Sequence, residues 1–339
     1  MHRSKIEWCD DAWNPITGCL YECEYCYARK ISRRFSGDIR RNMNSPRYQK
    51  GEILQVLDDP FVADTGGVLN YPYGFTPTYH RYRLNYPQMR KNGCNILVGE
   101  AGELFGDWVP ESVLREIFES CKERSIHNYL FLTRKPERYG ELRSGGILPE
   151  DKNFWYGSTV ACSKDVSPCE AGGMDGINTF ICIEPIAEAI RFPAGVKIAD
   201  WIIIGAETGN RRGKIYPEKR WIDEIVKYAD RVGIPVFMND SLKELMGDDM
   251  RTEIPKLLTM KEISPLEQAR RSGVCFMCKK PGLKKDMIAL AARTKRRGTA
   301  KQLCYVCKPC FMEFCSKYNI EIPELEGLKD EKAKLSQNK

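Results

Sequence analysis

A series of short apolar runs beginning at Asn95 limits the possible folds more than any other feature of the chain. They span Asn95 to Val98, Tyr129 to Leu132, Phe154 to Val160, Thr179 to Ile183, Trp201 to Ile204 and Val236 to Met238. Each has strand length, and the segments between them leave room for helices. Two of those segments carry a helical stripe: Val113, Leu114, Ile117, Phe118 and Cys121 between Glu111 and Arg124, and Trp221, Ile222, Ile225, Val226 and Ala229 between Glu218 and Val232. Strands apolar on both faces belong to parallel sheets covered by helices. The sequence therefore predicts an α/β chain whose first 250 residues form a partial (β/α) TIM-like barrel, with its site at the strand C-terminal ends. With 339 residues, 42% of them hydrophobic, there is material for one large core and a smaller module.

The predicted strand ends are polar: Glu100, Thr133-Arg134, Ser158-Thr159, Glu184, Glu207-Thr208 and Asn239-Asp240. Entry into solvent would make one such end polar, whereas repetition at nearly every strand points to a shared site. Alternation sets Phe180, Cys182 and Glu184 on one face and Ile181 and Ile183 on the other, so a Glu184 aimed into the mouth lies one layer above Cys182. An acid directly after apolar strand residues is costly unless it has a partner. Upstream, the spacing predicts a helix over Tyr27 to Phe35 and a strand over Thr78 to Leu84.

Cys19, Cys23 and Cys26 form C-x3-C-x2-C just after Gly18. Three thiolates on one loop can hold three irons of a 4Fe-4S cluster and leave the fourth open to another ligand. A structural zinc knuckle is the competing reading, although zinc wants four ligands, usually in separated C-x2-C pairs. With only His2, His80 and His127, histidine-based acid/base chemistry has few candidates. The N-terminus has no apolar signal region and no stretch reaches membrane-spanning length, so the fifteen cysteines are expected to be reduced, metal-bound or buried in a cytoplasmic protein without a membrane partner.

Beyond residue 250 the composition changes. Residues 251–270 read as a linker, 271–320 as a basic zinc ribbon and 321–339 as a charged tail. Cys275 and Cys278 form one knuckle, and Cys307 with Cys310 the second, with Cys304 the alternative to Cys310. So small a module needs metal to supply much of its folding free energy. From Ser264 to Tyr318 there are 13 Lys and Arg against 3 Asp and Glu, while the first 263 residues carry a net −2. Such a cationic module attracts a nucleic-acid backbone; a solvated loop or a surface for an acidic protein are the other readings.

In their order, the segments WNPITGC, CEYCYARK, TPTYHRYRL, NILVGEAGELFGDWVPE, YLFLTRKPERY, FWYGSTV, FICIEPI, WIIIGAETG and IPVFMND resemble the phage-associated three-Cys-motif proteins, a family of unknown function within the radical S-adenosylmethionine (radical SAM) superfamily. The resemblance spans roughly residues 8 to 240. It implies a partial barrel distantly like that of spore photoproduct lyase, with Cys19, Cys23 and Cys26 as catalytic cluster ligands. It also implies that strand-end residues Glu103, Arg134, Ser158 and Glu184 hold SAM, Arg134 by forking onto a carboxylate. Gly99-Glu100-Ala101-Gly102-Glu103 stands where the superfamily has Gly-Gly-Glu. The implied activity is formation of a 5'-deoxyadenosyl radical, with electrons from a reductant such as flavodoxin or ferredoxin and a nucleic acid or nucleotide-derived target. A peptide or small-molecule target, or a non-enzymatic zinc-stabilised nucleic-acid-binding protein, are the alternatives.

Overall fold

In the computed structural model, described for residues 6–166, 174–258, 272–274, 277–278, 281–283, 287–292 and 302–317, the chain divides into two compact units, Met1–Lys261 and Glu262–Lys339. The first contains, in chain order, β1 (Asp11–Trp13), β2 (Ile16–Thr17), α1 (Tyr27–Ser32), α2 (Ile39–Met43), β3 (Gln55–Leu57), β4 (Thr78–His80) and β5 (Asn95–Val98). There follow α3 (Glu111–Lys122), β6 (Asn128–Thr133), α4 (Glu137–Ser144), β7 (Phe154–Thr159), β8 (Asn178–Ile183), β9 (Ile202–Ile204), α5 (Lys219–Val232) and β10 (Val236–Met238).

Seven strands form one curled sheet in the order β1-β5-β6-β7-β8-β9-β10, every neighbouring pair parallel. The fold is a mixed α/β half-barrel, as the apolar runs require. β1 is a seventh strand without an apolar signature: it has only three residues and begins with Asp11. The helical stripes bury as their period demands. Val113, Leu114, Ile117 and Phe118 of α3 join Ile96, Val98, Tyr129 and Phe131 of the sheet, while Ile222, Ile225 and Ala229 of α5 join Ile181, Ile183, Ile202 and Ile204. Each fully buried side chain of this size contributes about 1.5–3 kcal/mol.

The opposite, concave face is floored by Leu97, Leu130, Trp155, Phe180, Cys182, Trp201, Ile203 and Phe237, with Trp8 packed on them. Period two thus places Cys182 in the core and Glu184 directly above it. No helix intervenes between β8 and β9, where Pro185, Pro193 and Gly195 punctuate the chain. The expected strand over Thr78 to Leu84 stops at His80 and turns into a 3-10 segment, Arg81–Arg83, whose last carbonyl accepts from Trp13 Nε1 at 2.9 Å. The expected helix from Tyr27 ends at Ser32 rather than Phe35.

Residues 251–258, read from the sequence as the start of a linker, belong to the first unit. Glu253 O accepts from Trp201 Nε1, Leu258 O accepts from Asn95 Nδ2, and Leu258 is buried in the concave cluster. In the second unit, β11 (Ser272–Val274) pairs antiparallel with β12 (Pro281–Leu283), and β13 (Met287–Ala292) with β14 (Gln302–Cys307). β14 runs directly into α6 (Lys308–Lys317). The basic run Arg293 to Lys301 and the tail 321–339 lie outside the described residues.

Candidate active site at the strand ends

The cysteine loop is anchored by backbone. β2 leads into Gly18 at φ 84°, a left-handed conformation that a Cβ disfavours. That turn brings Gly18 against Gly102 of the loop after β5: Gly18 N donates to Ala101 O at 3.0 Å, and Glu103 N donates to Gly18 O at 3.2 Å. Within the loop, Arg29 donates to Tyr21 O at 2.6 Å and stacks 4.7 Å above the Phe75 ring. Tyr21 N donates to Cys19 Sγ at 3.3 Å, and Cys26 Sγ caps α1 by accepting from Arg29 N at 3.4 Å. Burial, with smaller contributions from Glu103 and the other two cysteines, pushes the Cys19 thiol up to about 12 despite the Tyr21 N–H.

From this anchor the loop is tied to three strand ends. Tyr27 Oη donates to Glu100 Oε1 at 2.9 Å beyond β5. Arg134, at the end of β6, hydrogen-bonds Tyr25 Oη and covers its ring at 5.8 Å. Arg211, beyond β9, pairs with Glu24 at 3.3 Å while forking onto Glu207 at 2.7 and 2.8 Å. Glu207 is 6% exposed, and the guanidinium hydrogen bonds hold its carboxyl below the usual range.

Glu103 is buried and points into protein. Its carboxylate accepts from Phe105 N at 2.9 Å, Thr133 Oγ1 at 2.8 Å and Arg134 N at 3.2 Å. It therefore fixes the loop after β5 to the end of β6 and sets the backbone of Arg134; burial raises its pKa in spite of these donors. Glu184 stands over Gly205 beside Asn239, at the adjoining ends of β8, β9 and β10. Burial raises its pKa to about 7, opposed by a hydrogen bond from Asn239 and aided by Glu7. Asn239 is 7% exposed, and its Oδ1 is a buried acceptor without a hydrogen-bond donor, an orphan that a bound ligand could satisfy.

Ser158 does not join these residues. It pairs in register with Ile181, whose side chain packs in the outer cluster, and it shares a cavity with Tyr139 and Tyr156 on the convex side. Thr159, paired with Cys182, takes the inward position on β7. The structure thus gathers Cys19, Cys23, Cys26, Glu103, Arg134 and Glu184 around the concave mouth and sends Ser158 to the other face. Tyr25, Glu24, Arg211 and Asn239 complete the arrangement; of these, Tyr25, the aromatic before the last cysteine of the motif, and the polar strand end at Asn239 carried a sequence signal.

Two cysteine groups differ in spacing. Among the described residues, the one trio of ligand atoms all within 4.8 Å of one another is Cys278, Cys307 and Cys310. A tetrahedral zinc with Zn–S of about 2.3 Å sets its sulfurs about 3.8 Å apart, and Cys278 Sγ lies 3.8 Å from Cys307 Sγ. Cys275 lies outside the described residues. Cys19, Cys23 and Cys26 do not form such a trio. No helix among the described residues is long and apolar enough to cross a membrane. No curated protein and no solved structure matches the chain. Residues 3–244 match a family described as a protein of unknown function (DUF5131).

Proposed function

The chain belongs to that family, whose description carries no chemistry, and we propose that it is a radical SAM enzyme acting on nucleic acid or a nucleotide-derived substrate. One observation supports this reading above the others: a single loop with three thiols is tied across the C-terminal ends of β5, β6 and β9 of a half-barrel. Strand ends are where this architecture places its chemistry.

In this reading Cys19, Cys23 and Cys26 hold a 4Fe-4S cluster with one iron free of protein ligands. Such a cluster, with SAM bound, would supply one electron to break a sulfonium C–S bond. Arg134 offers a planar fork to a ligand carboxylate. Glu184 and the orphan Oδ1 of Asn239 offer acceptors to hydroxyl or amino donors. Glu103 acts through Arg134 as a positioning residue, and Thr159 replaces Ser158 as the inward polar group of β7. The aromatic floor of Trp155, Phe180 and Trp201 keeps water from beneath the site. An external reductant such as flavodoxin or ferredoxin provides the electron, in a reducing cytoplasm. The second unit is a zinc ribbon held by Cys275, Cys278, Cys307 and Cys310, whose basic segments draw in a phosphate backbone.

Anaerobic reconstitution with iron and sulfide tests the reading. The expected product of reconstituted protein, dithionite and SAM is 5'-deoxyadenosine, lost in Cys19→Ser, Cys23→Ser and Cys26→Ser without loss of zinc. A colourless, iron-free protein after reconstitution overturns it.

A further inference from the structure

The rim of the same mouth carries cations and flat rings that the proposed chemistry leaves unused. α1 leaves the cysteine loop with Ala28 and Ser32 buried beneath it, which turns Lys30 outward. Lys30, Arg33 and Arg34 are exposed, and none has an ion-pair partner among the described residues. Across from them, the loop after β9 presents exposed Arg212 and Tyr216, the latter 76% exposed with Lys214 Nζ 5.0 Å from its ring centre. The two elements meet at one place: Arg211 binds Glu24 of the cysteine loop, and Glu207 feels the charge of Lys30. Of the two carboxylates on the loop, Glu22 and Glu24, Glu24 is taken up by Arg211. Tyr27 and Phe35 add rings that are 47% and 53% exposed.

This positive charge is local, because the first 263 residues carry a net −2. An acidic polypeptide would satisfy the cations alone. Unpaired cations interleaved with exposed rings match a single strand of nucleic acid, whose phosphates take the cations and whose bases stack on the rings. We propose that α1 and the loop from Thr208 to Tyr216 bind single-stranded nucleic acid along the mouth of the half-barrel. The inference rests on the enzyme reading only in making that strand the substrate.

The test is fluorescence anisotropy of a labelled oligothymidylate titrated with the full chain over a salt series, with neither added iron nor SAM, so that absence of 5'-deoxyadenosine formation would not bear on it. Each phosphate contact to a single strand contributes about −0.7 to the slope of log affinity against log salt. The combined variant Lys30→Ala, Arg33→Ala, Arg34→Ala is therefore expected to flatten the slope by about 2. Tyr216→Ala, on a separate loop, is expected to weaken binding roughly 5- to 150-fold, the range for loss of one stacking ring. Unchanged affinity and slope in both variants, with unchanged thermal unfolding, overturn the proposal. So does polyglutamate that binds as tightly as the oligonucleotide and is indifferent to Tyr216→Ala.

Discussion

Gly18→Ala probes whether the cysteine loop is held by the close approach of two backbones. The substitution incurs two separate costs. A φ of 84° is left-handed, which costs a residue with a Cβ about 1–2 kcal/mol. The new Cβ would also lie 2.5 Å from Thr76 O and 2.7 Å from Phe75 O. Both are main-chain atoms that no rotamer change can move, and overpacking of this kind costs about 1–3 kcal/mol. The expected loss is about 2–5 kcal/mol in total. Gly51 isolates the first cost, having φ 95° and nothing within 4 Å of a built Cβ; its alanine variant should lose only about 1–2 kcal/mol. Gly102 isolates the second, since its Cβ would sit 2.8 Å from Gly18 O without a positive φ.

Urea unfolding of the three variants, with m-values compared to verify a common transition, measures these losses. Iron bound after reconstitution supplies the functional readout. It should fall in Gly18→Ala and Gly102→Ala, which displace Cys19, and hold in Gly51→Ala. Equal midpoints and equal iron in Gly18→Ala and Gly51→Ala would show that the approach to Thr76 and Gly102 does not fix the loop.

Glu184 has its pKa raised to about 7 from 4.5, so the folded chain holds the proton more tightly than the unfolded one. The associated stability is complete below the unfolded value and is lost as pH rises to the folded value, by about 3 kcal/mol. Glu184→Gln should match the parent near pH 4 and exceed its stability by about 3 kcal/mol near pH 8; parallel pH profiles would refute this. Arg211→Ala removes both guanidinium hydrogen bonds from Glu207 and should lower the urea unfolding midpoint, most of the loss being recovered when Glu207→Gln is added. Zinc analysis should find one ion per chain, lost in Cys278→Ser, Cys307→Ser or Cys310→Ser and kept in Cys304→Ser. Zinc loss from the last variant would exchange the ligand roles of Cys304 and Cys310.

The legible part of this fold is the part governed by local burial. Asn95–Val98 and Val236–Met238 have the same limits in sequence and structure because each is apolar on both faces and ends where the chain reaches the polar rim. β1 escaped notice because Asp11-Ala12-Trp13 owes its strand geometry to β5: Asp10 N donates to Asn95 O, and Asn95 N to Asp10 Oδ2. Nothing in three residues records a partner 85 positions away. The boundary near residue 250 moved for a similar reason, since Leu258 is held by Asn95 and the concave cluster rather than by its own neighbours in sequence.

The site divides along the same line. A polar residue at a strand end announces that chemistry can occur there; only register tells which neighbour faces it. Period two already fixed Glu184 above Cys182. The same count on β7 runs inward from Trp155 through Gly157 to Thr159 and leaves Ser158 with Tyr156 on the outer face. Choosing Ser158 by its resemblance to family positions overrode a rule that the sequence itself supplied. The link from Glu24 through Arg211 to Glu207 is different, because it joins residues 187 positions apart whose individual patterns are those of ordinary surface charges. It becomes visible only when the curl of the sheet brings the end of β9 under the cysteine loop. A loop tied at β5, β6 and β9 cannot shift at one end without drawing on the other two, so the thiol spacing is set by the sheet as a whole. For this reason Arg211→Ala, remote in sequence from every cysteine, is expected to lower iron uptake as well as stability.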